Sequence, residues 1–188
     1  MKLDKSAIFT VDLEDWNHAL HQVKRGHNSV DSVNWLIYKL NQCKVKAIFY
    51  VLGRFSDEFP GMVDAIKAQG HVMGDHGYSH DHGESQQYPR INQYYRSPYW
   101  DSEPMPWPPS GGFFFRVMPY EYVKWAVKKS GVFWIHPHDL DEKHPKLKNP
   151  WLNWKRRVGL KSARRKLERL LSEVKWKDPK DYFYASAG

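Results

Sequence analysis

Apolar residues fall along the chain in two alternating patterns. Residues 7–11 (Ala-Ile-Phe-Thr-Val) form a continuous β-rich run that ends in the acidic residues Asp12, Glu14 and Asp15, which predicts a buried strand. Over 28–45 the apolar positions Val30, Val33, Ile37 and Leu40 recur at helical spacing, with Asn28 or Ser29 available as N-cap. Residues 47–52 are again continuous and apolar, a second strand. Ser56 or Asp57 then caps a predicted helix that carries Met62, Val63 and Ile66 and closes at Gly70, and residues 71–73 make a third, short strand. Further on, Pro119 opens a helix through Tyr122, Val123, Ala126 and Val127 to Gly131, followed by a strand over 132–135 that ends at His136-Pro137-His138-Asp139. Over 160–174, Ala163, Leu167, Leu170, Leu171 and Val174 share one face of an amphipathic helix.

The β-α-β-α-β order implies an α/β protein with parallel strands and crossover helices. Residues 81–112 break this rhythm: they are rich in Pro, Ser, Gln and Tyr without a period, and a loop of that length in a compact domain is usually functional. The chain of 188 residues fits one domain of roughly 100–200 residues. A single cysteine, Cys43, excludes an internally disulfide-stapled miniprotein. The N-terminal Met1-Lys2-Leu3-Asp4-Lys5 lacks an apolar leader and no stretch approaches the ~18 apolar residues of a membrane span. The expectation is a cytoplasmic protein, with peripheral attachment to the inner membrane open to it.

Charge changes the picture in one place. Lys and Arg number 29 against 21 Asp and Glu, a net charge of +8. The window 151–177 holds ten basic and two acidic residues, so it carries the whole surplus and the rest is neutral. This segment has an apolar face to bury, and charge runs are usually solvated faces, so nucleic-acid binding is not expected. Its apolar residues should dock on the domain and leave Lys161, Arg164, Arg165 and Arg169 to solvent. The partners that suit it are anionic: an acidic glycan, a lipid carrier or a membrane surface.

Ionisable residues gather after the predicted strand ends: Asp12, Glu14 and Asp15 after the first, His76 and His80 after the third, His136 after the last. Parallel α/β folds place their sites there. The i, i+4 pair His76 and His80, with one carboxylate from the first strand, makes a two-His, one-carboxylate set for a divalent ion. Spacing alone does not separate that reading from two ordinary loop histidines.

Four motifs occur in order: Thr10-Val11-Asp12-Leu13-Glu14-Asp15-Trp16; Gly70-His71-Val72-Met73-Gly74-Asp75-His76-Gly77-Tyr78-Ser79-His80; Arg96-Ser97-Pro98; and Ile135-His136-Pro137. Together they resemble the polysaccharide deacetylases, carbohydrate esterase family 4, the NodB-homology domain. The stretch from Pro109-Ser110-Gly111-Gly112-Phe113-Phe114-Phe115-Arg116 through Pro119-Tyr120 to His136-Pro137 is also similar to a bacterial subgroup of O-antigen and exopolysaccharide gene clusters.

The resemblance implies a distorted, shortened (β/α) barrel with incomplete strand-helix units. Residues 1–150 would be the catalytic domain, and 151–188 a basic helix and tail packed on it. The implied activity is metal-dependent removal of N-acetyl groups from an amino sugar. His76 and His80 match the metal ligands, with Glu14 as the third and Asp15 as its alternative if the strand ends at Asp12. An i, i+2 spacing keeps Asp12 and Glu14 on one strand face. Asp12 matches the general base, Arg96 the arginine that pairs with it, and His136 the general acid; Tyr99 and Trp100 would contact the sugar. The implied cofactor is Zn²⁺, with Co²⁺, Ni²⁺ or Mn²⁺ as alternatives.

Two shortenings depart from the family pattern, one over the fifteen residues 81–95 and one after Trp100. The motif that supports the catalytic histidine is missing, and Asp139 is a candidate substitute. A homodimer is one way to cover the resulting open barrel edge. The competing function is a degenerate relative that binds glycan through Trp100, Trp107 and nearby tyrosines without catalysis.

Overall fold

The structure is a computed structural model that describes residues 6–19, 29–79 and 106–181. Among the described residues, four parallel strands form one sheet: β1 (Ile8–Leu13), β2 (Ala47–Val51), β3 (Val72–Asp75) and β4 (Val132–Ile135), in the order β3-β2-β1-β4. Strand β1 is central, registered Val11 to Phe49 on one side and Val11 to Ile135 on the other. This is the parallel α/β layout expected from the sequence pattern, an arc of the shortened (β/α) barrel.

Alternation along the strands separates two faces. Phe9, Val11, Leu13, Phe49, Val51, Met73, Phe133 and Ile135 belong to the main core, which the helices close. Ile8, Ile48, Tyr50 and Val72 cluster separately on the other face. Thr10, Asp12 and Trp134 have the parity of this second face, and a side chain at Gly74 would collide with the Tyr50 ring at 2.5 Å.

Most helices follow the predicted spacing. Helix α1 (Trp16–Ala19) turns directly off β1, and α2 (Val30–Gln42) buries Val33, Leu36, Ile37 and Leu40. The expectation that Ser56 or Asp57 caps the next helix is corrected. Both lie inside a separate short helix α3 (Gly53–Glu58), and α4 (Pro60–Ala68) starts at Pro60, whose fixed φ suits the first helical position. Gly70, at φ 79°, follows its C-cap in the left-handed region.

Helix α5 (Gly112–Val117) and helix α7 (Pro150–Arg157) were not predicted. The first is short and hidden in an aromatic run. The second buries none of its residues, so no apolar stripe marks it, and it relies on Pro150 and an Asn149 cap on the Leu152 amide. Between them, α6 (Tyr120–Ser130) ends at Gly131.

Helix α8 (Leu160–Glu173) places Ala163, Leu167, Leu170, Leu171 and, just beyond it, Val174 in the main core. The chain after it returns to the sheet, where the Ala7 amide donates to the Lys175 carbonyl at 2.8 Å and the Lys177 amide to the Ala7 carbonyl at 2.9 Å. The basic face of α8 is only partly free. Arg164, expected towards solvent, donates from Nε to the Leu140 carbonyl at 3.0 Å and lies over the Trp35 ring. Lys161, Arg165 and Arg169 are exposed as expected. No helix among the described residues is long and apolar enough to cross a membrane.

Candidate active site

Strand register assembles the site. Because Val11 pairs with Ile135, the next residues, Asp12 and His136, face each other where β1 and β4 end. Glu14, two residues on from Asp12, returns to the same side. His136 Nε2 is 3.7 Å from Asp12 Oδ2 and 3.6 Å from Glu14 Oε1. The first strand runs on to Leu13, so the condition that favoured Asp15 over Glu14 does not arise. Asp15 is fully buried, and its Oδ1 accepts from the Trp16 amide at 2.7 Å, the Ser29 amide at 2.8 Å and the Ser29 hydroxyl at 2.9 Å. It ties β1 to the start of α2. Burial pushes its carboxyl up, against these hydrogen bonds and nearby His18.

Behind His136, the chain turns through a 3-10 helix, Pro137–Leu140. Asp139 Oδ2 accepts from the His136 amide at 3.2 Å and lies 3.2 Å from His136 Nδ1. The partner that sequence reading proposed for His136 is thus in place. Asp139 in turn pairs with a residue that sequence reading missed: Arg116 Nε donates to Asp139 Oδ1 at 3.0 Å, with both side chains almost fully buried. Arg116 Nη1 donates to the carbonyls of Arg156 and Val158, and Nη2 to that of Lys155. One guanidinium therefore joins α5, the 3-10 turn and the C-terminal end of α7.

Electrostatics follow from this geometry. Burial lowers the pKa of His136, but the hydrogen bond and charge of Asp139 and the charges of Asp12 and Glu14 outweigh it and push it up to about 9. For Asp139, burial acts upward, yet the His136 bond, His138 and Arg116 hold its carboxyl well below the usual range. His138 stacks on His136 with ring centroids 4.6 Å apart and is buried against Trp16. Burial, then the His136 and Arg156 charges, pull it down to about 3, so it is neutral.

Among the described residues, Glu14, His136 and His138 bring one potential ligand atom each within 4.8 Å of one another. Their hydrogen bonding argues against an ion bound by all three. Arg156 Nη1 donates to His138 Nε2 at 3.0 Å, which leaves the proton on Nδ1, the atom facing Glu14 at 3.9 Å. His136 uses Nδ1 toward Asp139. Both rings therefore offer N–H groups to a carboxylate. The predicted set is distributed otherwise. Glu14 stands at the carboxyl edge of β1 and His76 directly after β3, on the same edge of the sheet. Carboxylate and imidazole are donors that suit a divalent ion. His76 is not in the Glu14 cluster, and His80, Arg96, Tyr99 and Trp100 lie outside the described residues.

The parallel sheet thus carries, at its carboxyl edge, two carboxylates and an imidazole backed by a third. Residues 25–99 match the family model for polysaccharide deacetylase, and residues 98–184 match a domain of unknown function, DUF3473. A stretch of 45 residues is 47% identical to a peptidoglycan-N-acetylglucosamine deacetylase of Bacillus cereus, covering 24% of this chain and 16% of that protein. The structure is similar to that of Bacillus subtilis PdaA, a family 4 carbohydrate esterase, at a TM-score of 0.50 and 12% identity over 97% of this chain and 82% of that one. A weaker likeness, TM-score 0.41 and 11% identity over 93% and 68% of the two chains, is to BA3943, a pseudoenzyme of the same family from Bacillus anthracis. The polysaccharide deacetylase match thus lies in residues 25–99, and the fold is similar to that of a family 4 carbohydrate esterase.

Proposed function

We propose that this protein is a metal-dependent N-deacetylase acting on an amino sugar of a bacterial surface polysaccharide, an O-antigen or exopolysaccharide, or on its precursor. The observation that carries the reading is the convergence of Asp12 and Glu14 on His136 Nε2, with His136 backed by the buried Asp139–Arg116 pair. Glu14, His76 and His80 are the residues that would hold the ion. When bound, a divalent ion polarises the acetyl carbonyl and acidifies water at neutral pH.

Asp12 takes the proton from the attacking water, and Arg96 keeps its carboxylate ionised. His136, protonated at neutral pH, donates to the leaving amine; Asp139 fixes its orientation through Nδ1 and stabilises its charged form. Tyr99 and Trp100 contact the sugar. Support for the surface-polysaccharide substrate comes from the resemblance of residues 109–137 to that subgroup.

The test is acetate release from N-acetylated amino-sugar oligomers by the wild type, Asp12→Asn and His136→Ala, with and without chelator. Release by the wild type, lost with chelator and reduced about 10²–10⁴-fold in either variant, is expected. Glycan binding without acetate release, in protein replete with Zn²⁺, would overturn the enzyme reading and leave a glycan-binding protein.

A further inference from the structure

Aromatic residues that the site does not use collect around α7. This helix buries none of its residues, and on it Trp151 and Trp154 are 67% and 50% exposed, stacked on one another with centroids 4.9 Å apart. Phe113 of α5 lies 6.4 Å from Trp154, and Phe114 links it to Trp107, which is 83% exposed. Water in contact with this much ring surface is unfavourable, and contiguous exposed apolar patches on soluble domains mark interaction sites.

The segment that carries α7 is cationic, and Lys155 Nζ lies 5.7 Å from the Phe113 ring centroid. From Lys143 to Leu167 the sequence contains ten basic residues and no acidic one. The fold uses several: Arg156 is bonded to His138, Arg164 to the Leu140 carbonyl, Lys166 to the carbonyls of Phe115, Arg116 and Met118, and Lys143 pairs with Asp31. The other six, Lys146, Lys148, Lys155, Arg157, Lys161 and Arg165, are exposed and form no ion pair with an acidic side chain among the described residues. Exposed indoles interleaved with lysine and arginine have the composition of an interfacial membrane-binding helix.

We propose that this face seats the protein on the surface of an anionic lipid bilayer, with the indoles of α7 at headgroup depth and the surrounding cations on lipid phosphates. Charge complementarity selects an anionic surface. Exposed apolar ring area on a cationic segment favours lipid over an acidic glycan, because insertion among headgroups uses that apolar area and ion pairing to a glycan does not. This inference is independent of catalysis.

The experiment is co-sedimentation of the full chain with phosphatidylglycerol-rich and with pure phosphatidylcholine vesicles, at low and high salt. Binding to the anionic vesicles that weakens with salt is expected, together with quenching of indole fluorescence by brominated lipid. The double variant Trp151→Ser/Trp154→Ser should partition about tenfold less. Tyr38→Ser, an exposed aromatic on α2, should leave partitioning unchanged. Far-UV circular dichroism establishes that the variants fold. The proposal fails if the wild type ignores anionic vesicles at low salt, or if the double variant binds as the wild type does. It also fails if an acidic polysaccharide retains the protein and vesicles do not.

Discussion

Asp139 and Arg116 show how a site residue is held by groups that never meet substrate. Their pair is buried, and Arg116 directs three more donors to carbonyls of a different element. Removing one partner leaves a charge without compensation, so Asp139→Ala or Arg116→Met should each lower unfolding free energy by about 3–5 kcal/mol, read from urea denaturation. The double variant should cost less than the sum, because it leaves no orphan charge. The two neighbouring acids of the opening motif should separate in the same way. Asp15→Ala removes a three-bond anchor and should lower stability by a few kcal/mol, of order 1–3 kcal/mol. Glu14→Gln should keep the fold but lower bound Zn²⁺, measured by elemental analysis after dialysis. Loss of Zn²⁺ from Asp15→Asn but not from Glu14→Gln would reverse the assignment. Asp139 was a candidate in the sequence, at the end of the run His136-Pro137-His138-Asp139. Arg116 was not, since nothing local distinguishes it from the chain's other arginines.

At the scale of elements, the joint between α5, α7 and α8 shapes the surroundings of the site. Gly159 starts α8 at φ 78°, and a Cβ there would lie 2.6 Å from the Arg116 carbonyl oxygen. Gly159→Ala therefore combines left-handed strain with a backbone collision, and should destabilise by more than the roughly 1–2 kcal/mol of the strain alone. A thermal melt of the variant checks this. Lys166 closes the same joint by donating to the carbonyls of Phe115, Arg116 and Met118, groups that the end of α5 would otherwise leave unsatisfied. Burial draws its pKa down, a sign that the ammonium works inside the fold. A 3.6-residue period marks α8 clearly, but these contacts are made by its polar face, where the pattern carries no information about partners.

Across the whole molecule, four histidines set the response to pH in opposite directions. His71, His138 and His144 are held neutral, with burial as the leading cause, down to about 4, about 3 and about 4. Unfolding lets them bind protons at their ordinary pKa of about 6.5, so stability should fall as pH drops below that value. His136 has the opposite sign. Its folded pKa of about 9 means that its contribution is fully present below about 6.5 and is lost as pH rises through 9. Metal-free protein should therefore be most stable near pH 6–7 by denaturant titration across pH. A flat profile from pH 5 to 9 would show that the buried network does not set it. The sequence by itself determined the parallel α/β order, the shared strand face of Asp12 and Glu14, and the resemblance to the polysaccharide deacetylases, because strand parity, helical period and motif spacing are local. Only tertiary structure decided that His136 stands opposite Asp12, that Arg116 holds Asp139 and Arg156 tunes His138, and that Arg164 and Lys166 turn inward. Those contacts join residues from 18 to 129 positions apart, and the register and packing that bring them together belong to the folded chain as a whole.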